Sequence, residues 1–451
     1  MLYRILHFIF RYAVKKYFRK IRIQNAELIP KDKPVVFFPN HRSAFMDPLV
    51  VATMIDRPMH FLARGESFKN PIMAKIYRQL NMIPIYRKEF SPDEAHKNKD
   101  VFRNCDALLE KKGALMIFPE GLSQTKPRLL PFKTGMARIA FGAEEKNNFN
   151  LDVQLIPVGI NYTNPHRFQS DLFINMGEPI PLSKYREMYE KSSFEAVKQL
   201  TADAEAALKE RIITLDGKRW FKLSEKVEAI VESEPEGFLS KTNEAGFDWY
   251  LAKKDINGAI DYFKTNKPDL LNHLEKKTND YMNMLQRLKV SKDSINVNKD
   301  KYSLKHNFPL LVLYLIVLSP LFLVGLIFLG IPFIITRLIA NAVVKRVDFM
   351  GSVVLFIGLV IFTLFGAVES VLVAKYTGFW LWGVAVFLLL PLLGMATRKY
   401  YMHLIHLTIN RRWLSISARK NKLADYVVNE KQNLLGLFKE AYREYLMEKG
   451  K

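Results

Sequence analysis

The sequence runs to 451 residues, 49% of them hydrophobic, with a formal net charge of +22. Its one cysteine, Cys105, excludes an internal disulfide and suits a reducing compartment. The charge calls for anionic partners, but no nucleic-acid-binding motif occurs and the basic residues flank apolar segments, so acidic headgroups or phosphorylated substrates are expected and nucleic acid is not.

Residues 1–30 begin MLYRILHFIFRYAVKKYFRKIRI. Leu2, Ile5, Leu6, Ile9, Ala13 and Tyr17 share a helical face, and Arg4, Arg11, Lys15, Lys16, Arg19 and Lys20 supply charge. That pattern predicts a basic helix lying on an anionic leaflet, with packing on its own domain as the plain alternative. Arg4 and Arg11 break the apolar stretches and no small-residue cleavage site follows, so no signal peptide is expected.

Residues 31–215 read as an α/β domain. Short apolar runs recur at 35–38 (VVFF), 59–63 (MHFLA), 82–86 (MIPIY), 114–118 (ALMIF), 153–160 (VQLIPVGI) and 172–176 (LFINM). Helical patterns lie between them, as at 71–80 and 99–113, which predicts a mixed or largely parallel sheet flanked by helices. Cys105 falls in the second of these helices as a structural thiol. No G-x-G-x-x-G follows the first strand, so no dinucleotide site is expected.

Residues 216–306 are polar and helical in pattern, an insertion without evident chemistry. The membrane region, 307–397, starts with an uncharged segment at 308–336, which contains Pro309, Pro320, Gly325, Gly330 and Pro332. Those residues predict a break or a re-entrant path. Spans are predicted at 350–374 and 376–397, joined by a tight turn near Lys375. Arg337, Lys345 and Arg346 follow the first segment, and Arg398, Lys399, Arg411 and Arg412 follow the last. A re-entrant first segment places both clusters and the α/β domain on the cytoplasmic face. Glu369 is expected near the interface. Residues 398–451 form a basic, amphipathic helical tail with Leu434, Leu435, Phe438, Tyr442 and Leu446 on its apolar face.

The chemistry centres on Asn40-His41-Arg42-Ser43-Ala44-Phe45-Met46-Asp47-Pro48, directly after the first strand. Histidine titrates near neutrality and can take a hydroxyl proton at working pH, and a nearby carboxylate can hold its tautomer. Asp47-Pro48 also suits a helix start, with Asp as N-cap and Pro at the first helical position. Further blocks follow in order: 61–88, ending in Arg87 and Lys88; Phe118-Pro119-Glu120-Gly121; Pro131-Phe132-Lys133-Thr134-Gly135; and Ile156-Pro157-Val158-Gly159. His60, His96 and His166 have no partner pattern and read as structural. No Cys/His/Asp spacing indicates a metal site.

Among these segments, in the right order, are counterparts of the four blocks of the glycerophospholipid acyltransferases, the family typified by lysophosphatidate acyltransferase, and the chain resembles that family over roughly residues 10–215. The resemblance implies His41 as general base and Asp47 as its orienting partner. It places Arg87, Glu120, Gly121 and Lys133 at the acceptor phosphate, and Pro157 on the acyl-donor side. Arg64, Lys126 and Arg128 are additional basic candidates. The implied reaction moves an acyl group from acyl-CoA or acyl-carrier protein, with no cofactor, to 1-acylglycerol 3-phosphate or, alternatively, glycerol 3-phosphate. Two departures bear on the acceptor. Five residues separate His41 from Asp47 where four are usual, as in yeast-type glycerol-3-phosphate/dihydroxyacetone phosphate acyltransferases, and Leu122-Ser123-Gln124 follows Gly121 where an arginine is common. A lipid-handling membrane protein with a regulatory α/β domain is the competing reading, against which the membrane region offers few polar groups.

Overall fold

The structure, a computed structural model, describes residues 2–86, 92–125, 128–232, 249–291, 295, 304–419 and 421–450. In chain order it builds α1 (Leu2–Tyr17), β1 (Lys20–Gln24), β2 (Val35–Pro39), α2 (Met46–Met54), β3 (Met59–Arg64), α3 (Pro71–Gln79), β4 (Met82–Ile85), α4 (Asn98–Glu110), β5 (Ala114–Met116), α5 (Gly135–Lys146), β6 (Gln154–Tyr162), β7 (Asp171–Met176), β8 (Ile180–Pro181), α6 (Arg186–Lys191) and α7 (Ser193–Lys209). The helices α8 (Lys218–Val231), α9 (Trp249–Asn266), α10 (Pro268–Leu288), α11 (Leu304–Val343), α12 (Met350–Thr377), α13 (Trp380–Arg419) and α14 (Asn421–Lys449) follow. The chain divides into two compact units: Met1–Thr214 with Ile339–Leu359, and Leu215–Leu338 with Val360–Lys451.

The first unit is an α/β domain around a mixed sheet in the order β1-β7-β6-β2-β5-β3-β4, with β8 added to β6. β6 runs antiparallel to β7 and β8, and the other pairings are parallel. β2 lies in the middle and is buried along its whole length, as a strand covered on both faces must be. Its side chains alternate between two cores. Val35 and Phe37 join Met46, Val50 and Val158 on the α1–α2 face, while Val36 and Phe38 join Leu109, Ala140 and Leu200 on the α4–α5–α7 face. Cys105 is fully buried in the second core, and burial pushes its thiol up to about 12, so the inert reading of this thiol fits its surroundings.

Two strands escape the apolar-run criterion. β1 (KIRIQ) alternates charge with apolar residues at the sheet edge, and β8 is two residues long. Pro157 is tolerated inside central β6 because of where β6 changes partner. β8 pairs with Gln154 and Leu155, β7 with Val158 onward, and Pro157 falls in the gap, where no ladder N–H is missed. At the N-terminus, α1 both packs and exposes. Val14 and Tyr17 are buried and His7 bonds the Ala52 carbonyl at 3.0 Å, while Ile5, Phe8 and Tyr12 face outward.

In the second unit, α8, α9, α10 and α14 share one core, with Leu223, Ile256, Phe263, Leu274, Val427 and Phe438 at its centre. The polar segment after 215 and the C-terminal tail, expected as separate regions, therefore fold against each other. The three apolar helices are long and apolar enough to cross a membrane: Val312–Val343, Val347–Thr377 and Trp380–Ser417. α11 carries no break, contrary to the expected broken or re-entrant segment. Pro320 leaves the Ile316 carbonyl without its helical partner, and the Ser319 hydroxyl donates to that carbonyl at 2.8 Å. The Tyr400 hydroxyl on α13 likewise donates to the Leu315 carbonyl at 2.8 Å. The turn expected near Lys375 falls three residues later, where Gly378 has φ +69°.

Candidate active site

His41 stands just beyond the carboxyl end of β2. Asn40 anchors this point: its side-chain amide donates to the Ile160 carbonyl at 3.1 Å and accepts from the Ile160 N–H at 2.6 Å, tying β2 to β6 beyond the ladder. The chain then turns sharply. Ala44 takes φ +29°, and the Met46 N–H closes on the Ser43 carbonyl at 2.7 Å. α2 starts at Met46 with Phe45 at the N-cap, so Asp47 lies in the first helical turn and is not its cap. Pro48 is harmless there, because the first four N–H groups of a helix lack helical partners anyway.

This turn answers the question of the extra residue. His41 is outside the helix and Asp47 inside it, so helical rotation does not govern their approach. His41 Nδ1 meets Asp47 Oδ2 at 2.9 Å. The same oxygen accepts from the Ser43 N–H at 2.6 Å, and Oδ1 accepts from the Tyr162 hydroxyl at 2.8 Å. The Asp47 carboxylate is wholly buried, while the His41 side chain keeps 18% of its surface. Three donors offset the cost of burying the charge. An ionised carboxylate only accepts, so Nδ1 carries the proton and Nε2 is left as the basic nitrogen. The His41 ring stacks on Phe118, with centroids 4.2 Å apart and 28° between planes.

Tyr162 ends β6 and was not legible as a site residue. Burial first, then the adjacent Asp47 charge, raises its hydroxyl well above the usual tyrosine range, so it remains a donor. Arg42 was also missed. It is half-buried, its guanidinium donates to the Thr125 carbonyl at 3.4 Å, and it senses the charges of Asp47 and Glu120. Burial lowers its pKa and those acids oppose the shift.

Glu120, expected at the acceptor phosphate, is buried. Its two oxygens accept backbone N–H groups, from His41 at 2.7 Å and Leu130 at 2.9 Å, and the residue is 4% exposed. It fastens the His41 turn to the loop after β5. Burial lifts its carboxyl to about 7, against the pull of those two N–H groups. Gly121 has φ +76°, and its N–H closes on the Phe118 carbonyl at 3.0 Å. A Cβ there would lie 3.3 Å from the Lys133 stem, so the structure brings Gly121 and the exposed Lys133 side by side.

Arg64 is exposed at the carboxyl end of β3, and Arg128 is exposed on the loop after Gly121. Pro157 lies buried within β6, where its contribution is to the backbone. Arg87 and Lys126 lie outside the described residues. Arg64 ends a parallel strand and His41 and Glu120 follow the carboxyl ends of two others, the edge where sheets of this kind bind ligands.

Residues 20–161 match the family model described as Acyltransferase. That stretch includes His41, on the turn after β2, and Asp47, in α2, and stops one residue short of Tyr162. Among curated proteins, the chain resembles Glycerol-3-phosphate O-acyltransferase 2 of Saccharomyces cerevisiae, with 38% identity over 112 residues, 25% of this chain and 15% of that protein. It also resembles Glycerol-3-phosphate O-acyltransferase 1 of the same yeast, 36% identical over 84 residues, 19% of this chain and 11% of that protein. A chloroplastic 1-acyl-sn-glycerol-3-phosphate acyltransferase of Brassica napus is 28% identical over 124 residues, 27% of this chain and 34% of that protein. The match thus spans about a seventh or less of either yeast relative. The crystal structure of the 1-acyl-sn-glycerophosphate acyltransferase of Thermotoga maritima aligns over 44% of this chain and 81% of that one, with 20% identity and a TM-score of 0.30.

Proposed function

We propose that this chain transfers a fatty acyl group from a thioester donor, acyl-CoA or acyl-carrier protein, to a hydroxyl of a glycerol phosphate at a membrane surface. The observation that carries the proposal is the His41–Asp47 pair, 2.9 Å apart, with the acid buried and the imidazole edge open. In this reading His41 Nε2 takes the proton of the acceptor hydroxyl as its oxygen attacks the thioester carbonyl. The tetrahedral intermediate collapses, the carbon–sulfur bond breaks, and the imidazolium returns the proton to the leaving thiolate. Asp47 holds the tautomer and balances the imidazolium charge. Lys133, Arg64 and Arg128 supply positive charge for the acceptor phosphate, and Arg87 joins them by sequence. Both donors are polyanions, suited to a chain of net charge +22.

Two acceptors fit this site. The block pattern suits 1-acylglycerol 3-phosphate. The higher identity to the two yeast glycerol-3-phosphate acyltransferases, 38% and 36% against 28% for the Brassica protein, favours glycerol 3-phosphate. The test uses purified protein in lipid micelles with labelled acyl-CoA or acyl-carrier protein, each acceptor assayed separately, and wild type beside His41→Ala. Transfer to one acceptor that disappears in the variant supports the reading and names the acceptor. Undiminished transfer by His41→Ala would overturn it.

A further inference from the structure

The connection between the two apolar helices α11 and α12 reaches the catalytic turn. It runs through Arg346, Val347, Asp348 and Phe349, and belongs to the same compact unit as the sheet. Asp348 is 4% exposed, although it lies in a charged connection between membrane helices. Its backbone carbonyl accepts the Ser43 hydroxyl at 3.4 Å, and its carboxylate takes the Ser123 hydroxyl in a close contact. Arg346 neutralises that carboxylate through Nε at 3.1 Å and Nη2 at 2.8 Å, and also donates to the Ser123 carbonyl at 3.2 Å. The Phe349 ring meets the Phe45 ring edge-on at 5.5 Å.

The two serines that Asp348 holds bracket the site. Ser43 is the residue whose N–H donates to Asp47, and Ser123 lies two residues past Gly121. A single buried residue therefore grips both loops that frame His41. Burying a carboxylate is costly unless it is paired and hydrogen-bonded, and attaching a membrane hairpin to a domain does not need one, since apolar contacts such as Phe45–Phe349 would serve. What the carboxylate adds is direction: it fixes a hydroxyl, and through it a loop, in one place.

We propose that Asp348 is a positioning residue for acyl transfer, acting through Ser43 and Ser123 to hold the His41–Asp47 turn against the loop after Gly121, with Arg346 as its counter-charge. This rests on His41-dependent acyl transfer as the function. A hydrogen bond to a charged group removed from such a frame lowers kcat by about tenfold while leaving the KM for acyl-CoA within about twofold.

The experiment takes the full-length protein in lipid micelles through a double-mutant cycle of Asp348→Ala and Ser123→Ala, with Asp348→Asn and His41→Ala alongside. Both single variants should lose kcat, the double variant should be no slower than Asp348→Ala alone, and Asp348→Asn, which keeps an acceptor oxygen, should recover part of the loss. Hydrogen exchange of the peptide covering 118–125 gives a second readout that needs no acceptor, and it should quicken in Asp348→Ala, while 40–47, whose Ser43 bonds the Asp348 backbone carbonyl, should change less. Wild-type kcat in Asp348→Ala beside an inactive His41→Ala, losses that multiply in the double variant, or unchanged exchange in 118–125 would each overturn the positioning role. Full activity in His41→Ala would instead remove the catalytic reading, and the exchange data would still decide whether Asp348 holds the two loops.

Discussion

Replacing Tyr162 with Phe removes one hydroxyl and little else, because the ring remains stacked on Phe18 at 5.7 Å. The hydroxyl is one of three donors to a carboxylate with no exposed surface, at 2.8 Å. No water can replace it without rearrangement, so Asp47 Oδ1 is left buried and unpaired. A hydrogen bond to a charged group in such a place contributes roughly 1.5–3 kcal/mol. At about 1.4 kcal/mol per tenfold, complete expression in the transition state would slow kcat by roughly 10- to 100-fold. Part of the loss falls on the folded state itself, and a melting midpoint lower by several degrees should accompany it. The assay is kcat and KM for acyl transfer in lipid micelles, with the melting curve recorded on the same preparation. In an Asp47→Asn background the further change should be small, because the charge that Tyr162 serves is gone. A folded Tyr162→Phe protein with wild-type kcat would refute the argument that Asp47 needs its third donor.

Glu120 gives a pH prediction. Its carboxyl titrates at about 7 in the folded chain, above the unfolded value, so the folded state binds the extra proton between the two. Its contribution is full below the unfolded value and is lost as pH climbs through about 7. Thermal midpoints from about pH 4.5 to about pH 8 should fall more steeply for wild type than for Glu120→Gln, and parallel curves would contradict this. Gly121→Ala must place a side chain at φ +76° and displace the Lys133 stem, which costs on the order of 1 kcal/mol or more. The KM for the phosphate acceptor should rise while that for the donor stays put, and an unchanged acceptor KM would separate Lys133 from the acceptor. Lys345→Cys in a Cys105→Ala background should react with an impermeant maleimide from the same side of the membrane as Lys191→Cys, because Ile339–Leu359 and the sheet form one compact unit, and labelling from opposite sides would refute this.

Much of the sheet can be read from the sequence because the buried strands are uninterrupted apolar runs. VVFF became β2, MHFLA β3, and VQLIPVGI β6, each within one or two residues. The edge strand β1 was invisible for the same reason: one face is polar, and KIRIQ resembles the end of the basic helix before it. His41 and Asp47 were legible because both sit in one short motif. Their meeting depended on Ala44 at φ +29°, which spacing alone does not report. Tyr162 lies 115 residues from Asp47, and Asp348 lies 305 from Ser43. Contacts of that range are products of the sheet order and leave no local pattern. Glu120 was found by its motif, but nothing in Phe118-Pro119-Glu120-Gly121 says that the side chain turns inward to collect two backbone N–H groups. In α11 the prolines were read as breaks, although a neighbouring hydroxyl can take up the carbonyl that proline abandons.

The acceptor capacity of Asp47 is filled by the backbone of its own turn, by the end of β6 and by His41. Gly121, Arg128 and Lys133 belong to a different loop, joined to the turn through Glu120, through the Gln124 N–H on the His41 carbonyl at 3.0 Å and through Ser123 on Asp348. On the proposed reading, the proton-transfer pair and the basic residues Arg128 and Lys133 therefore lie on different pieces of chain. Substitutions at Arg128 and Lys133, outside those ties, can then retune which phosphate is admitted while the proton-transfer pair keeps its geometry. A scaffold divided in this way can drift from one glycerolipid acceptor to another by changing a rim, without rebuilding its chemistry.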